Sequence, residues 1–223
     1  MSTTNTHTQA VITIQNIFMD IIKSENTIPL QFGSILKDLR KDYHRIAGSF
    51  IDAWAYQSLC NLAKRKKNPF GLLRVKAGKR LDLYDFLLFF KFQKDKREQP
   101  VYVDSKATSL DIKTSGKNPN LVSFGKIRNF FSKNPNQIYV ITSFKHSLLE
   151  EGIIVKNVET FELKDLASSD IVYNKRLNQL QLRDIFSIKL EPRSASDFIK
   201  LIDEKFIKSR GLKEWKEEVG RFN

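Results

Sequence analysis

Tyr84-Asp85-Phe86-Leu87-Leu88-Phe89-Phe90-Lys91-Phe92 and Val101-Tyr102-Val103-Asp104-Ser105-Lys106-Ala107 are two runs rich in aromatic, aliphatic and β-branched residues, separated by the charged stretch Gln93 to Pro100. Such a pattern predicts an antiparallel hairpin, the first run its long central strand. Side chains alternate across a strand, so Asp104 and Lys106 share one face. Folding back through the turn brings Asp85, at the far end of the first strand, beside Asp104. Two carboxylates then converge next to one ammonium group.

Outward from the hairpin, Leu72 to Val75 reads as a short strand, entered through the helix breaker Asn68-Pro69-Phe70-Gly71. Before it, Ile46, Phe50, Trp54, Leu59 and Leu62 predict a helix from about Tyr43 to Lys64. A shorter helix carries Phe32, Ile35, Leu36 and Leu39, and an amphipathic one runs from about Thr8 to Lys23, its stripe suited to the core or to a second subunit. After the hairpin, Leu121, Phe124, Ile127, Phe130 and Phe131 have helical spacing, and Ile138 to Thr142 reads as a strand. Strand, helix, strand is a crossover that sets the last strand parallel to its predecessor. Shorter apolar runs follow at Ile153 to Val155, Val158 to Leu163, Ile171 to Tyr173 and Ile185 to Leu190, then two helices, about Ala195 to Lys208 and Leu212 to Val219. The expectation is one mixed α/β domain over residues 1–223, without repeats or a linker.

Thirty-eight Lys and Arg against 25 Asp and Glu give a formal charge of +13, which favours polyanionic partners. The single cysteine, Cys60, excludes an intramolecular disulfide and a cysteine-rich zinc site, and its apolar helical setting reads as a core thiol. His7, His44 and His146 stand in no metal-ligand spacing, which disfavours a zinc or triad enzyme. The N-terminus lacks the basic start and apolar core of a signal peptide, and no run is long enough to span a membrane, so a cytoplasmic protein is expected.

Two carboxylates and a lysine suit phosphodiester hydrolysis. Hard carboxylate oxygens bind magnesium, which takes few protein ligands and keeps several waters. Lys106 can orient a water and offset charge building on the phosphate. Asp-x-Lys also occurs as a plain ion pair across a sheet, but Asp85 opens a nearly all-apolar strand, where an unpaired carboxylate is costly. Asp82, in Leu81-Asp82-Leu83, is the rival first acid, with a solvated turn acid or an Arg80 ion pair as its ordinary role.

Asp85 followed by Asp104-Ser105-Lys106, on this order of helices and strands, resembles the PD-(D/E)XK nuclease core across about Tyr43 to Ser143. Within that superfamily, Gly48-Ser49-Phe50-Ile51-Asp52, Asp85-Phe86-Leu87-Leu88, Val103-Asp104-Ser105-Lys106-Ala107-Thr108 and Asn118-Pro119-Asn120-Leu121-Val122-Ser123 resemble the HincII- and EcoRV-like type II restriction endonucleases, and Asp85 through Phe92 to Asp104 is also similar to the SwaI-like ones. The resemblance implies an α/β restriction endonuclease-like core of about residues 43–143, a central mixed sheet flanked by helices. Residues 8–40 and a DNA-contacting 150–223 are its appendages.

It further implies that Asp85, Asp104 and Lys106 hold and assist Mg2+, and that a homodimer straddles a short palindromic site in double-stranded DNA. Cleavage would leave 5′-phosphates and blunt ends, and a cognate methyltransferase would protect the cell's own DNA. Asp52 resembles an accessory acid of this family, although a plain helix-surface acid fits equally. Tyr84 replaces the proline before the first acid, and the turn between the acids is longer than in the HincII-like enzymes.

For DNA reading, Lys117, Asn118 and Asn120 fall where those enzymes place a loop in the groove, and Asn120 matches their base-contacting asparagine. An Asn amide can pair with an adenine edge or other base edges, whereas lysines mostly meet phosphates. The ordinary alternative is a helix-entry turn. Arg193 resembles a segment of the same enzymes before a C-terminal helix, and also reads as part of a turn capped by Ser194 or Ser196. Lys64 to Lys67 and Arg74, Lys76, Lys79 and Arg80 suit phosphates or a solvated basic face. A repair or structure-specific nuclease on the same core, and a DNA-binding protein whose cluster is a structural ion pair, remain as alternatives.

Overall fold

The computed structural model describes residues 3–30, 36–79, 82–92 and 97–222. Helix α1 (Thr3–Ser24) leads to β1 (Thr27–Pro29) and helix α2 (Leu36–Ala63). Strands β2 (Leu72–Ala77), β3 (Phe86–Phe90), β4 (Gln99–Ser109) and β5 (Asn120–Ser123) precede helix α3 (Phe124–Lys133). Strands β6 (Ile138–Leu149), β7 (Gly152–Glu162), β8 (Ile171–Asn174) and β9 (Gln179–Leu182) then lead to helices α4 (Ala195–Arg210) and α5 (Leu212–Gly220). Residues 32–35, Arg80, Leu81 and the part of the expected turn at 93–96 lie outside the described residues.

The chain divides into two compact units. The first comprises Met1–Ser115 and Val140–Phe161, the second Gly116–Tyr139 and Glu162–Asn223. The first holds a six-stranded mixed sheet in the order β1-β7-β6-β4-β3-β2. The expected hairpin is there: β3 runs antiparallel to β4, with Phe86 opposite Val103 and Leu88 opposite Val101. Strand β6 lies beside β4, as a crossover requires. Ala10, Ile14, Ile17 and Phe18 of α1 are fully buried. Phe18 and Trp54 of α2 both set their rings edge-on to Phe144 of β6, at centroid distances of 4.9 and 5.9 Å. The stripe of α1 therefore packs in the core of its own unit.

Helix α2 departs from the expected stripe. Ile46 and Phe50 are 44% and 38% exposed, while Ala47, Ile51, Ala55, Leu59 and Leu62 are buried. Small residues let the helix lie close to the sheet: a methyl group at Gly48 would meet the Ala107 Cβ at 3.8 Å. The helix is also continuous from Leu36, so no break separates Leu36 and Leu39 from the longer helix. Cys60 is half-buried rather than a core thiol. Strand β3 spans five residues, shorter than the run that signals it, and β6 and β7 extend well past the expected Ile138 to Thr142, Ile153 to Val155 and Val158 to Leu163.

The second unit carries a three-stranded sheet in the order β5-β9-β8. Leu121 lies in β5 rather than in helix α3, which starts at Phe124. Its core is aromatic: Phe124 stacks on Phe206 with centroids 4.3 Å apart, and Phe131 meets Phe198 edge-on at 5.4 Å. Arg128 of α3 joins Asp203 of α4 through an ion pair of 2.8 Å. The apolar run at 185–190 forms turns and an isolated bridge, not a strand. Among the described residues, no helix is long and apolar enough to cross a membrane.

Candidate active site and recognition strand

Four of the expected site residues meet in the first unit. Asp104 and Lys106 alternate onto one face of β4, where Lys106 Nζ lies 2.6 Å from Asp104 Oδ1. Asp104 is 5% exposed, and its Oδ2 is buried without a hydrogen-bond partner. Asp85 sits one residue before β3 and is tied to the sheet three times. Its N–H donates to the Val103 carbonyl at 2.9 Å, its carbonyl accepts from Gly78 N at 2.7 Å, and its Oδ2 accepts from Ser105 N at 2.7 Å. Asp52, on α2, lies near Ser105 and is influenced by Asp85 and Lys106.

Burial pushes the Asp104 carboxyl up to about 7; the Lys106 ammonium pulls it down and the neighbouring Asp85 carboxylate pushes it further up. Burial likewise raises Asp52 to about 6, with the Ser105 hydroxyl opposing, Asp85 adding and Lys106 opposing. Carboxylates crowded this way, one with an oxygen left unsatisfied, are short of positive charge despite the lysine. A hard divalent cation bound largely through water fits that deficit with two protein carboxylates. Among the described residues no three His, Cys, Asp or Glu side chains form a metal cage.

Asp82 is elsewhere. Its N–H donates to the Lys79 carbonyl at 2.9 Å and its Oδ2 accepts from Lys79 N at 2.8 Å, which makes it an exposed acid closing a local turn. That turn positions Asp85 through Gly78, a residue the sequence did not single out. A Cβ at Gly78 would sit 1.9 Å from the Tyr84 carbonyl oxygen, so only glycine allows this approach. Ser105 was also overlooked as a positioning group, because its role is played by a backbone N–H that any residue type would carry.

Lys117, Asn118 and Asn120 gather in the second unit, on chain that is zipped to the strand β9 region rather than forming a free helix-entry turn. Lys117 pairs with Asp184, Asn118 N donates to the Arg183 carbonyl at 3.1 Å, and Asn120 stands opposite Gln181. Asn118 takes φ +48°, a left-handed conformation that Asn tolerates. Arg193 belongs to the same unit but binds locally: its guanidinium meets Glu191 at 2.8 Å, and its side chain is 12% exposed. Ser194 caps α4, accepting from Asp197 N at 3.1 Å. In the first unit, Arg74 pairs with Glu98 at 2.7 Å and lies over the Phe89 ring, while Lys64 to Lys67 are exposed.

Comparison with known proteins gives first the class. Type II restriction enzyme HpaI of Haemophilus parainfluenzae is 35% identical over 174 residues, covering 73% of this chain and 68% of the relative. The solved NlaIV restriction endonuclease aligns with a TM-score of 0.49 and 16% identity over 87% of this chain and 89% of that one. The similarity to HpaI makes the chain a site-specific deoxyribonuclease of the type II restriction kind. The family model described as Type II restriction endonuclease HpaI matches residues 5–222, and the chain belongs to that family. DNA is its substrate, and enzymes of this kind generally need a divalent metal.

Proposed function

We propose that the chain hydrolyses both strands of unmodified duplex DNA at a short palindromic sequence, using Mg2+ held by Asp85 and Asp104 and assisted by Lys106 in a PD-(D/E)XK core. The observation that carries this reading is the buried, unpartnered Asp104 Oδ2 next to Asp85, with Lys106 Nζ 2.6 Å from the other oxygen of the same carboxylate. Magnesium there would supply Lewis-acid polarisation of a phosphoryl oxygen and a water acidic enough to attack at neutral pH. Asp85, fixed by the Ser105 N–H, and Asp104, fixed by β4, are near enough for the Asp85 carboxylate to act on the Asp104 carboxyl. Lys106 supplies a positive charge where the phosphate becomes more negative in the transition state. Asp52 acts as an accessory acid at the edge of the cluster.

In this reading the residues at about 43–143 form the catalytic core, helices within 8–40 are appended, and the part from 150 to 223 contacts DNA within one restriction endonuclease-like domain. Lys117, Asn118 and Asn120 of the core and Arg193 of that C-terminal part contact DNA, Asn120 at a base edge. The enzyme works as a homodimer, because a two-fold protein suits a two-fold site. It leaves blunt ends with 5′-phosphates and acts in the cytoplasm, where a cognate methyltransferase protects the host DNA. The test is digestion of mixed plasmid and phage DNA with magnesium and with EDTA. Discrete bands with metal alone are expected. Stable binding with no cleavage in either condition would contradict the proposal, and preference for branched or damaged DNA would turn it toward a repair nuclease.

A further inference from the structure

Asn120 does not stand alone on its strand. Its partner in the antiparallel pair of β5 with β9 is Gln181, and Gln181 Nε2 donates to Asn120 Oδ1 at 2.7 Å on the exposed side of the sheet. The two amides are 61 positions apart in sequence. They are brought together by a run of pairings: Lys117 with Asp184, Asn118 N to the Arg183 carbonyl, and Leu182 N to the Pro119 carbonyl at 3.1 Å. Alternation along β9 buries Leu180 and Leu182 completely and turns Gln181 the other way. The pair is therefore held on a strand anchored by its own core residues, not on a mobile tip.

An exposed bond between neutral amides contributes little to folding, because water competes for both groups. Its effect is on presentation. It uses one hydrogen of Gln181 and one lone pair of the Asn120 carbonyl, and leaves the Asn120 Nδ2 hydrogens and the Gln181 Oε1 outside that bond. A donor and an acceptor are thereby fixed side by side, each on a different side chain. The major-groove edge of adenine offers the complement, the N7 acceptor beside the N6 donor. The cationic side chains of Lys117 and Arg183 flank the pair on the same paired segments, as phosphate contact would require.

We propose that Gln181 is a second specificity-determining residue, and that Asn120 and Gln181 act as one unit, Asn120 Nδ2 donating to adenine N7 and Gln181 Oε1 accepting from N6, to read a single A·T pair of the recognition site. The proposal rests on the assignment of Asn120 as a base contact.

The test starts from the wild-type full-length chain. Sequencing the ends of magnesium digests of phage DNA defines the site that it cuts. Synthetic duplexes carrying that site, each single base-pair substitution and 7-deazaadenine at each adenine are then cut by wild type, Gln181→Ala, Asn120→Ala and the double variant. Gln181→Ala is expected to lower kcat/KM on the cognate duplex roughly 10- to 100-fold. Discrimination should collapse at one A·T pair, the same pair that Asn120→Ala affects, and the double variant should be little worse than the worse single one. Removing N7 from that adenine should slow wild type but not Asn120→Ala. Melting temperatures of the variants should match wild type.

A Gln181→Ala enzyme with unchanged discrimination, or one whose losses spread evenly over all pairs, overturns the proposal. If Gln181→Ala alters one pair while Asn120→Ala alters none, the Asn120 assignment fails and with it the paired reading. A wild type that cuts no DNA refutes the nuclease reading beneath both.

Discussion

Both units pair charges, but the two candidate sites differ in how their acids are met. In the first, Asp104 and Asp52 are pushed up to about 7 and 6 by burial, and an oxygen of Asp104 has no partner. In the second, charge is met locally: Lys117 holds Asp184 below the usual carboxylate range, Arg193 meets Glu191, and Arg128 meets Asp203. Unsatisfied buried carboxylates cost stability, and their persistence in one place marks where the fold expects something from outside. The exposed Asn120–Gln181 amide pair of the second unit is neutral and hydrogen-bonded, which suits reading a surface instead. If the proposed site and recognition strand are as assigned, chemistry falls in the unit with the unsatisfied carboxylates and base reading in the other.

If that contrast is right, the largest effects come from the deficient site. Lys106→Ala and Asp104→Asn should each lower the cleavage rate by about 100-fold or more, measured in single-turnover digests, because charge stabilisation there acts in the transition state. Duplex affinity by fluorescence anisotropy should survive, and equal loss of binding and cutting would break the division of labour.

Next comes the support of Asp85. Gly78→Ala forces a methyl group against the Tyr84 carbonyl, at a cost of roughly 1–3 kcal/mol for overpacking. It should weaken magnesium binding and cleavage while leaving affinity for duplex DNA without metal near wild type. Unchanged metal affinity would remove Gly78 from the account.

A pH effect follows from Asp104. Its carboxyl titrates near 7 in the fold against an ordinary 3.8, so between those values the folded state holds more protons than the unfolded state. The metal-free protein should therefore lose stability as pH rises from about 4 to about 7, and Asp104→Asn should flatten that part of the urea-unfolding profile. A wild-type profile that rises across the window, or one that the variant leaves unaltered, would contradict the burial argument.

The smallest effect is expected in the second unit. Lys117 pairs with Asp184 while 54% exposed, and such surface pairs contribute about 0–1 kcal/mol. Lys117→Ala should leave stability nearly unchanged and lower the salt dependence of DNA binding by roughly one unit of slope. An unaltered slope would mean that Lys117 meets no phosphate.

The hairpin and its acid-acid-lysine geometry were legible in the sequence because they rest on local rules. Alternation places Asp104 with Lys106, and a turn between two apolar runs brings Asp85 beside them. The choice between Asp85 and Asp82 was harder, since both stand at the strand entrance. They differ in their backbone partners, Asp82 accepting from Lys79 N and Asp85 from Ser105 N, and neither contact has a side-chain signature. In the N-terminal half of α2 the buried stripe lies one position past the expected Ile46 and Phe50, at Ala47 and Ile51, because alanine carries little weight in apolar periodicity; Leu59 and Leu62 are buried as expected. Strand β9, Gln-Leu-Gln-Leu, has no β-branched or aromatic residue to announce it. With it went Gln181, whose meaning depends on a partner that only the fold supplies.

The central claim is that Asp85 and Asp104 hold a divalent ion beside Lys106, and titration calorimetry of the DNA-free protein with Mg2+ near pH 6.5, repeated in buffers of different ionisation enthalpy, tests it most directly. The account predicts that wild type binds the ion and releases a proton from the Asp104 cluster as it does so, whereas Asp104→Asn neither binds with comparable affinity nor releases that proton. Equal metal affinity and equal proton release in the two proteins would contradict it.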